Sequence, residues 1–407
     1  MIGRSSSASS DNQALYQTLC NTIANSPEGR ISFADYMAAV LYDSSQGYYT
    51  RSTVDIGTKG DFFTAAHLGP DFGELLAVQL TEIWQRLGRP HPFAVIEMGA
   101  GQGLIAEQIL GYWQRHTPDL LSQVNYTLIE TSAALQAVQQ QRLAPWQDRA
   151  VVEWRSLPDI PNQSVTGCVF SNELVDALPV HRVQVTEAGL QEIYVTTCGG
   201  QESHSDSLFR EVLGPLSTPA LERYFERLKI DLTAYGPGYS TEVNLAALDW
   251  LTTVSQKIRQ GVLITIDYGY LAERYYGRSR SQGTLQCYYR HRHHSDPYRF
   301  IGSQDLTAHV DFTTLQQHGE QCGLTTLGLT RQSLFLMALG LGERLMALSQ
   351  SSATTPEAIN VAITRRNRLH RLIDPTGMGN FYVLLQGKNF PPAENGTPLQ
   401  GLATPPL

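Results

Sequence analysis

The chain has 407 residues, of which 42% are hydrophobic, and a formal net charge of −8 at pH 7. This length and composition suffice for one large domain with insertions or for two domains, each with a filled core. General nucleic-acid binders carry a basic face that neutralises phosphates, so an acidic chain predicts no nucleic-acid partner and leaves room only for a local basic patch.

The five cysteines are odd in number, lie far apart and lack Cys-x-x-Cys spacing. This pattern favours reduced thiols in a cytosol-like compartment and predicts neither a zinc site nor a disulfide framework. No apolar run approaches the length of a membrane span, and the N-terminus lacks a hydrophobic signal core. We therefore expect a cytoplasmic protein without membrane insertion.

The N-terminal part of the chain precedes the first predicted strand. Residues 1–13 are rich in serine and predict a disordered tail. Residues 14–92 predict a helical extension, in which Ser32 and Asp35 resemble a capping box and residues 70–88 form a second helix. The loop between these helices contains Gly60-Asp61-Phe62-Phe63-Thr64, and its aromatic residues are unusual in a loop.

The most informative segment is a glycine-rich turn after the first apolar strand. This strand ends at Glu97 and is followed by glycines at alternate positions, Gly99, Gly101 and Gly103. Such glycines let the backbone approach a ligand closely, and the next helix offers free N–H groups to an anion. Leu104 stands where a dinucleotide fingerprint places its last glycine, which disfavours NAD. The spacing resembles the first motif of class I S-adenosylmethionine (SAM) methyltransferases, with a plain strand-to-helix turn as the alternative.

Two further strand ends offer candidate cofactor residues. The second strand, near residues 125–130, ends at Glu130, which is placed to accept hydrogen bonds from ribose hydroxyls. The alternative is that Glu130 caps the following helix. Ser156 and Leu157 follow the third strand, where class I enzymes often use an acid to hold the adenine amino group.

The whole pattern predicts an α/β fold with a doubly wound parallel sheet of the class I methyltransferase, Rossmann-like type. We assign residues 93–389 to this core, with an inserted cap at about 181–245 that contains a β-hairpin, and residues 390–407 to a second disordered tail. A closing antiparallel pair of strands is expected near the end of the core. The predicted parallel strands lie near residues 94–98, 125–130, 150–154, 165–171 and 261–268.

Five ordered motifs resemble those of one family, MidA. They are Gly60-Asp61-Phe62-Phe63-Thr64, Glu97-Met98-Gly99-Ala100-Gly101-Gln102-Gly103, Asn172-Glu173-Leu174-Val175-Asp176-Ala177-Leu178-Pro179-Val180, Ile266-Asp267-Tyr268-Gly269 and Asp305-Leu306-Thr307-Ala308-His309-Val310-Asp311-Phe312. The resemblance implies a SAM cofactor and, by analogy with the mitochondrial members, methylation of an arginine on a core subunit of respiratory complex I during its assembly. It also implies the mitochondrial matrix as the location if the source is a eukaryote, and it leaves a homodimer open.

The chain departs from the family at two places. Thr64-Ala65-Ala66-His67 stands where many members have Thr-Ser-Pro-Glu, and Ala100 and Gln102 stand where Pro and Arg are common. We expect the SAM fold to survive both changes. The first change lies in a loop expected to face the substrate, so the protein substrate of the mitochondrial members is not carried over automatically.

The catalytic candidates follow from the chemistry of methyl transfer. Transfer from a sulfonium is an in-line displacement that depends on alignment and needs no metal. Asn172 and Glu173 should lie beside the glycine turn at the switch point of the sheet, with Asn172 orienting the cofactor or the acceptor. An arginine acceptor requires carboxylates around its guanidinium. Glu173 is the first candidate, and Asp176 or Asp267 the second, each with a local turn hydrogen bond as the alternative.

Histidines offer a proton acceptor rather than a metal site. In residues 290–294, alternation along a strand would place only His291 and His293 on one face, without an acid or cysteine beside them. We therefore predict no metal. His293, with His291 and His309 as further candidates, could receive a proton near neutral pH, and a solvated basic strand is the alternative.

The resemblance also indicates a lid over the cofactor at residues 60–64. Gly60, Asp61 and Thr64 would contact the cofactor, while the two phenylalanines would exclude water from the methyl group. The alternative packs both rings against the N-terminal helices.

Three functions remain open from the sequence. The first is a SAM-dependent protein arginine methyltransferase acting on a subunit of an NADH-dehydrogenase-type complex. The second is a small-molecule methyltransferase, which would need a closed pocket rather than an open groove. The third is an assembly factor that binds SAM without catalysis.

Overall fold

The computed structural model describes residues 13–50, 64–198, 208–290, 292–350, 355–392 and 396–405. The chain divides into two compact units. We call them the hairpin unit and the sheet unit. The hairpin unit comprises Met1–Asp55, Ala177–Leu245 and Tyr276–Ala308, and the sheet unit comprises Ile56–Asp176, Ala246–Tyr275 and His309–Leu407.

Helices occur in both units and at both ends of the described chain. In chain order the α-helices of the described residues are Gln13–Asn25 (α1), Phe33–Tyr42 (α2), Asp71–Arg86 (α3), Leu104–His116 (α4), Pro118–Leu121 (α5), Ala133–Leu143 (α6), Pro219–Leu228 (α7), Leu245–Lys257 (α8), Ala272–Tyr275 (α9), Phe312–Gln321 (α10), Gln332–Leu336 (α11), Gly342–Ser349 (α12) and Pro356–Leu372 (α13).

Strands alternate with these helices through most of the chain. Within the same residues they are Ile31–Ser32 (β1), Phe93–Met98 (β2), Val124–Ile129 (β3), Val151–Trp154 (β4), Val165–Asn172 (β5), His181–Thr186 (β6), Gly189–Thr197 (β7), Phe209–Gly214 (β8), Ser240–Val243 (β9), Ile258–Asp267 (β10), Gly269–Tyr270 (β11), Gln286–Tyr289 (β12), Arg292–His294 (β13), Asp305–Thr307 (β14), Val310–Asp311 (β15), Thr325–Arg331 (β16) and Tyr382–Lys388 (β17).

The sheet unit is built on a seven-stranded sheet in the order β4-β3-β2-β5-β10-β17-β16. Strands β4, β3, β2, β5 and β10 are parallel, and β17 pairs antiparallel with both β10 and β16. Numbered within this sheet, the order is 3-2-1-4-5-7-6, which is the class I methyltransferase arrangement. The doubly wound α/β fold and its closing antiparallel pair are confirmed.

Helices α3 and α4 cover this sheet because each carries an apolar stripe at helical spacing. The stripe of α3 includes Leu76, Leu80 and Ile83, all nearly fully buried. The ring of Trp113 on α4 is also buried, and its indole N–H donates to the Thr81 hydroxyl at 2.9 Å. The polar end of a large core side chain is thereby satisfied.

The hairpin unit joins three chain segments that are distant in sequence. The predicted hairpin is formed by β6 and β7, with Glu187-Ala188 between the paired residues Thr186 and Gly189, and β7 also pairs with β8 and with β1 of the N-terminal segment. A separate three-stranded sheet has the order β13-β12-β14. Pairing across such distances is not visible in local periodicity. Apart from the C-terminal tail, the predicted domain ranges stay a proposal.

The structure corrects one expectation about the C-terminal third of the chain. Residues 390–407 were expected to form a disordered tail, yet Leu399 is buried and the Gly401 N–H donates to the Gln79 side chain at 2.9 Å. The composition of this segment does not reveal that its apolar residue Leu399 is buried. Between α11 and α12 the chain forms a π-helical turn at Met337–Leu341 that contains Gly340 at φ +108°.

The N-terminal tail predicted over residues 1–13 lies outside the described residues except for its last position, which begins α1. No helix in the described part of the chain combines the length and apolar composition that a membrane crossing requires.

Candidate active site

The carboxyl ends of four strands meet at one edge of the sheet. Met98 pairs with Ile129 on one side and with Ser171 on the other, and Asn172 pairs with Ile266. From β2 the strand order continues to β3 on one side, and from β5 it continues to β10 on the other, so the switch point lies between β2 and β5. The glycine loop after β2 and the Asn172-Glu173 turn after β5 therefore emerge side by side.

The glycine loop adopts the backbone that its sequence predicts. Gly99, Gly101 and Gly103 have φ angles of +68°, +52° and +73°, a region that L side chains rarely adopt. A Cβ atom on Gly101 would meet no heavy atom within 4 Å, whereas one on Gly103 would lie 3.2 Å from the Gln139 side chain. Open space therefore lies beside Gly101, where a ligand can approach the backbone.

Glu130 lies beneath this loop at the end of β3. Its carboxylate accepts hydrogen bonds from the N–H of Gly101 at 3.2 Å and from the N–H of Ser132 at 2.9 Å. Burial raises the pKa of Glu130, although these hydrogen bonds act in the opposite direction. Glu130 thus braces the loop and the start of α6, and its contact with a ribose stays a prediction.

Glu97 is almost completely buried, with 2% of its surface exposed. Its carboxylate accepts a hydrogen bond from the Tyr126 hydroxyl at 2.6 Å. Burial raises the pKa of Glu97 to about 8, and the nearby Glu130 charge adds to the effect while Tyr126 opposes it. The structure therefore gives Glu97 a protein partner under the loop, and its contact with a cofactor stays a prediction.

Gln139 on α6 was missed by sequence reasoning. Its side-chain N–H donates to the Gly101 carbonyl at 2.7 Å, and its oxygen accepts from the Trp154 indole at 2.8 Å. The residue is fully buried. The available signal was its spacing of four residues from Leu135 and Leu143, which places it on the buried face of the helix.

The predicted adenine-side residues follow β4. The Ser156 hydroxyl donates to the Asp159 carboxylate at 2.6 Å and is exposed, and Leu157 is half-buried. The structure gives Ser156 a local partner, and a role for Ser156 and Leu157 at adenine stays a prediction.

The turn after β5 brings three of the predicted catalytic side chains together with Asn172. The Asn172 amide donates to the Glu173 carboxylate at 3.1 Å, while the buried Oδ1 of Asn172 has no hydrogen-bond partner in the described part of the chain. Glu173 has φ +55°, and its N–H donates to the Ile266 carbonyl at 2.9 Å. A non-glycine residue in this region is strained, and such strain clusters at functional sites.

Asp267, the last residue of β10, holds this turn through backbone hydrogen bonds. Its carboxylate accepts from the N–H groups of Val175, Asp176 and Tyr268 at 2.9, 3.2 and 2.9 Å. Burial raises the pKa of Asp267 well above its usual range, and the charges of Asp176 and Glu173 add to this rise. The geometry favours the alternative interpretation of Asp267 as the residue that holds the turn in place.

The structure describes only the end of the predicted lid. Gly60 and Asp61, with both phenylalanines, lie outside the described residues. Thr64 caps the short helix Ala65–Leu68, and its hydroxyl lies 2.8 Å from His67 Nδ1.

Two residues at which the chain departs from the family, His67 and Gln102, are in contact. The His67 side chain is hydrogen-bonded to Gln102 of the glycine loop, and burial lowers the pKa of His67. An imidazole and an amide therefore stand where many family members have Glu and where Arg is common.

The histidine candidates belong to different units. His293 is exposed on β13 of the hairpin unit, and His291 lies outside the described residues. His309 belongs to the sheet unit, where its ring packs against Tyr268 and Tyr270 with centroids 5.2 and 5.0 Å apart. Within the described ranges, no group of three or more His, Cys, Asp or Glu side chains could hold a metal ion.

Comparison with known proteins identifies this arrangement. The family described as "Putative S-adenosyl-L-methionine-dependent methyltransferase" matches residues 75–330, more than half of the chain. The chain belongs to this family. The predicted MidA resemblance, methyltransferase activity and SAM cofactor are confirmed.

Relatives of this methyltransferase cover most of its length. The Mus musculus protein arginine methyltransferase NDUFAF7, mitochondrial, is 31% identical over 382 residues, which make up 88% of this chain and 81% of the relative. The Drosophila melanogaster homologue is 28% identical over 379 residues, 88% of this chain and 81% of the relative. A Burkholderia thailandensis crystal structure bound to S-adenosyl-homocysteine has a TM-score of 0.82 at 29% identity, covering 97% of this chain and 95% of that chain.

The residues of the methyltransferase site fit SAM. The buried Oδ1 of Asn172, which has no hydrogen-bond partner among the described residues, suits an ammonium group, and the space beside Gly101 admits a ligand next to the Glu130 carboxylate. When bound, the cofactor supplies a methyl group on a positively charged sulfur. These side chains would hold and orient it at the switch point of the sheet.

Proposed function

We propose that this methyltransferase modifies an arginine side chain of a protein, and that its target is a subunit of an NADH-dehydrogenase-type complex. Two facts support the target class. The relatives that span most of the chain are named protein arginine methyltransferases. The site also offers carboxylates, which a guanidinium requires.

The observation that carries the proposal is the position of Glu173. It lies beside the glycine loop, in strained backbone, with its carboxylate oriented by the Asn172 amide. A planar guanidinium pairs with a carboxylate through two parallel N–H donors, which fixes the nitrogen that is methylated. Glu173 would hold the acceptor in line with the transferring group, and this alignment supplies most of the rate.

The remaining side chains have supporting roles in this proposal. Asp176, buried in the same turn, would be the second carboxylate facing the guanidinium. Asp267 would keep the turn in place through its backbone hydrogen bonds rather than contact the substrate. Methylation of a guanidinium nitrogen releases one proton, and Glu173 is the proposed first acceptor of that proton.

Mass spectrometry on cells that contain or lack this gene product tests the proposal. We expect one or more methylarginine peptides from an NADH-dehydrogenase-type subunit in wild-type cells, absent from deletion cells and restored by the wild-type protein but not by Glu173→Gln. Unchanged arginine methylation across all strains would overturn the proposal. Recovery of the methyl label in a small molecule would favour a metabolite acceptor.

The cellular location is part of the same proposal. A cytosol-like compartment, or the mitochondrial matrix in a eukaryote, would give the protein access to the target subunit before assembly. Several of the matching relatives are named mitochondrial.

A further inference from the structure

The β12–β13 region of the hairpin unit carries two stacked aromatic rings, each with an arginine guanidinium near it. The rings of Tyr289 and Phe300 are nearly parallel, with centroids 4.0 Å apart and an interplanar angle of 11°. The Arg290 guanidinium lies 5.1 Å from the Tyr289 ring centroid, and that of Arg299 lies 5.3 Å from the Phe300 centroid. We call these four side chains the arginine ladder.

The ladder is exposed and positively charged in an acidic protein. Arg290 and Arg299 are exposed, as is Arg292 on the neighbouring edge strand β13, and 39% of the Phe300 surface is accessible. Asp296 is the one acidic residue between positions 286 and 300, while the whole chain carries a net charge of −8. In the part of the chain that the structure describes, neither Arg292 nor Arg299 forms an ion pair.

The backbone is strained at both ends of the ladder. Arg290 has φ +49° and Phe300 has φ +47°, in the left-handed region that non-glycine residues avoid. Strain of this kind persists where the surroundings fix it and is often part of a functional arrangement. Two of the four ladder residues, Arg290 and Phe300, therefore have strained backbone.

We propose that the arginine ladder, together with Arg292, is a docking surface for an extended acidic segment of the protein substrate. The Arg299 guanidinium lies over a ring and forms no ion pair within the described residues, so the edge with its N–H donors can meet a carboxylate in a bidentate pair. Stacking also restricts the side chain before binding, so less conformational entropy is lost on docking. The inference rests on the proposed function only in naming the source of the segment.

The geometry disfavours other anionic partners. Single-stranded nucleic acid stacks its bases on open aromatic faces. In the ladder each ring is covered by the other ring on one face and has a guanidinium against it. A long polyanion would also be repelled by the net negative charge of the rest of the chain. A short acidic segment is attracted by the local positive charge of the ladder alone. Anionic membranes are bound by clusters of about 4–8 Lys or Arg, more than this surface offers.

The test uses the full-length protein and a fluorescein-labelled peptide of alternating Glu and Ser, with binding followed by fluorescence anisotropy. We expect salt-sensitive binding that weakens about tenfold in Arg292→Glu/Arg299→Glu at low ionic strength. The matched control is Arg210→Glu/Arg223→Glu, which makes the same charge change at exposed arginines on β8 and α7 of the same unit. The control is expected to bind like the wild type.

A charge-preserving variant distinguishes the contribution of the bidentate guanidinium geometry from that of the positive charge. Arg292→Lys/Arg299→Lys keeps both charges and loses the bidentate geometry, so its affinity should fall between that of the wild type and that of the Glu variant. Equal affinity of the Lys variant and the wild type would overturn the stacked geometry as the cause. Three results would overturn the docking surface. They are absence of peptide binding, equal weakening by the control variant, and tighter binding to oligo-dT or to phosphatidylserine vesicles.

The SAM-dependent thermal shift of every variant serves as a separate readout. It should equal that of the wild type, because the ladder contains no cofactor residue. Loss of peptide binding with an intact thermal shift therefore concerns the docking surface alone. Failure of the proposed function would instead appear as absent methyl transfer by a protein that still binds the peptide.

Discussion

The side-chain amide of Gln139 donates a hydrogen bond to the carbonyl of Gly101 at 2.7 Å. Through its oxygen the same amide accepts the Trp154 indole N–H at 2.8 Å. One buried side chain on α6 thereby links the glycine loop after β2 to the end of β4. The two ends of the predicted cofactor site, the loop and the adenine side, are held at a fixed distance by this link.

Gln139→Leu should weaken SAM binding more than it changes turnover. The substitution keeps a similar volume but leaves the Gly101 carbonyl and the Trp154 N–H without their partner, which costs about 1–3 kcal/mol. We expect the dissociation constant for SAM, measured by titration calorimetry, to rise about tenfold or more. Gln140→Leu, at an exposed position on the same helix, is the control. Unchanged SAM affinity in Gln139→Leu would contradict a positioning role.

Gly101→Val and Gly103→Val should have different effects. A side chain at Gly101 enters open space, so the fold should survive with a loss of about 1–2 kcal/mol from the positive φ. The melting-temperature rise on adding SAM should largely disappear, because that space is where the cofactor approaches. At Gly103 the new side chain meets Gln139, so stability should fall further even without SAM.

Thermal unfolding with SAM and with NADH tests the glycine-loop prediction. A full SAM shift in Gly101→Val would show that the cofactor does not approach there. An equal shift with NADH for the wild type would contradict the distinction drawn from Leu104.

The sequence predicted the part of the site that depends on local pattern. Apolar runs ending in Glu97, Glu130 and Asn172 located the strand ends, and the order of strands in a parallel sheet then places those ends at one edge. The positive φ angles of the glycine loop followed from residue type alone.

What the sequence could not show depends on contacts between distant segments. Helical spacing places Gln139 on the buried face of α6, but it does not reveal that the amide reaches the Gly101 carbonyl, because that contact depends on how α6 packs. The hydrogen bond between His67 and Gln102 pairs two family departures that lie 35 positions apart. The pairing of Ile31 with Val195 likewise joins the N-terminal segment to the inserted hairpin.

Glu97→Gln should change how stability depends on pH. The pKa of Glu97 is about 8 in the folded protein and about 4.5 in the unfolded chain. Between these values the folded state holds a proton that the unfolded state has lost, so wild-type stability falls as pH rises through this window. Glutamine mimics the protonated form and removes this contribution.

The measurement for Glu97 is the difference in melting temperature between Glu97→Gln and the wild type. It should be small near pH 5, grow in favour of the variant toward pH 8 and stay constant above that. Glu226→Gln, an exposed glutamate on α7, is the control. A difference that does not vary with pH would show that Glu97 is ionised throughout in the folded state.

Glu173→Gln should remove methyl transfer and spare SAM binding. Glutamine keeps the shape and the contact with Asn172 but loses the charge that holds a guanidinium and accepts its proton. Loss of such a group lowers turnover by about a hundredfold or more. Calorimetry should give SAM affinity within about twofold of the wild type, and a parallel loss of both would place Glu173 in contact with the cofactor.

Glu173→Gly provides an independent test of the strain at this position. With φ +55°, the glutamate occupies a region that costs a non-glycine residue about 1 kcal/mol, which glycine avoids. We therefore expect Glu173→Gly to melt at a higher temperature than the wild type while transferring no methyl group. Asp267→Asn should show the opposite order, with a lower melting temperature, because the amide cannot accept all the backbone hydrogen bonds that hold the turn. A Glu173→Gly variant that is less stable than the wild type would mean that its side-chain contacts outweigh the strain, and the strained backbone would then give no support for a functional role.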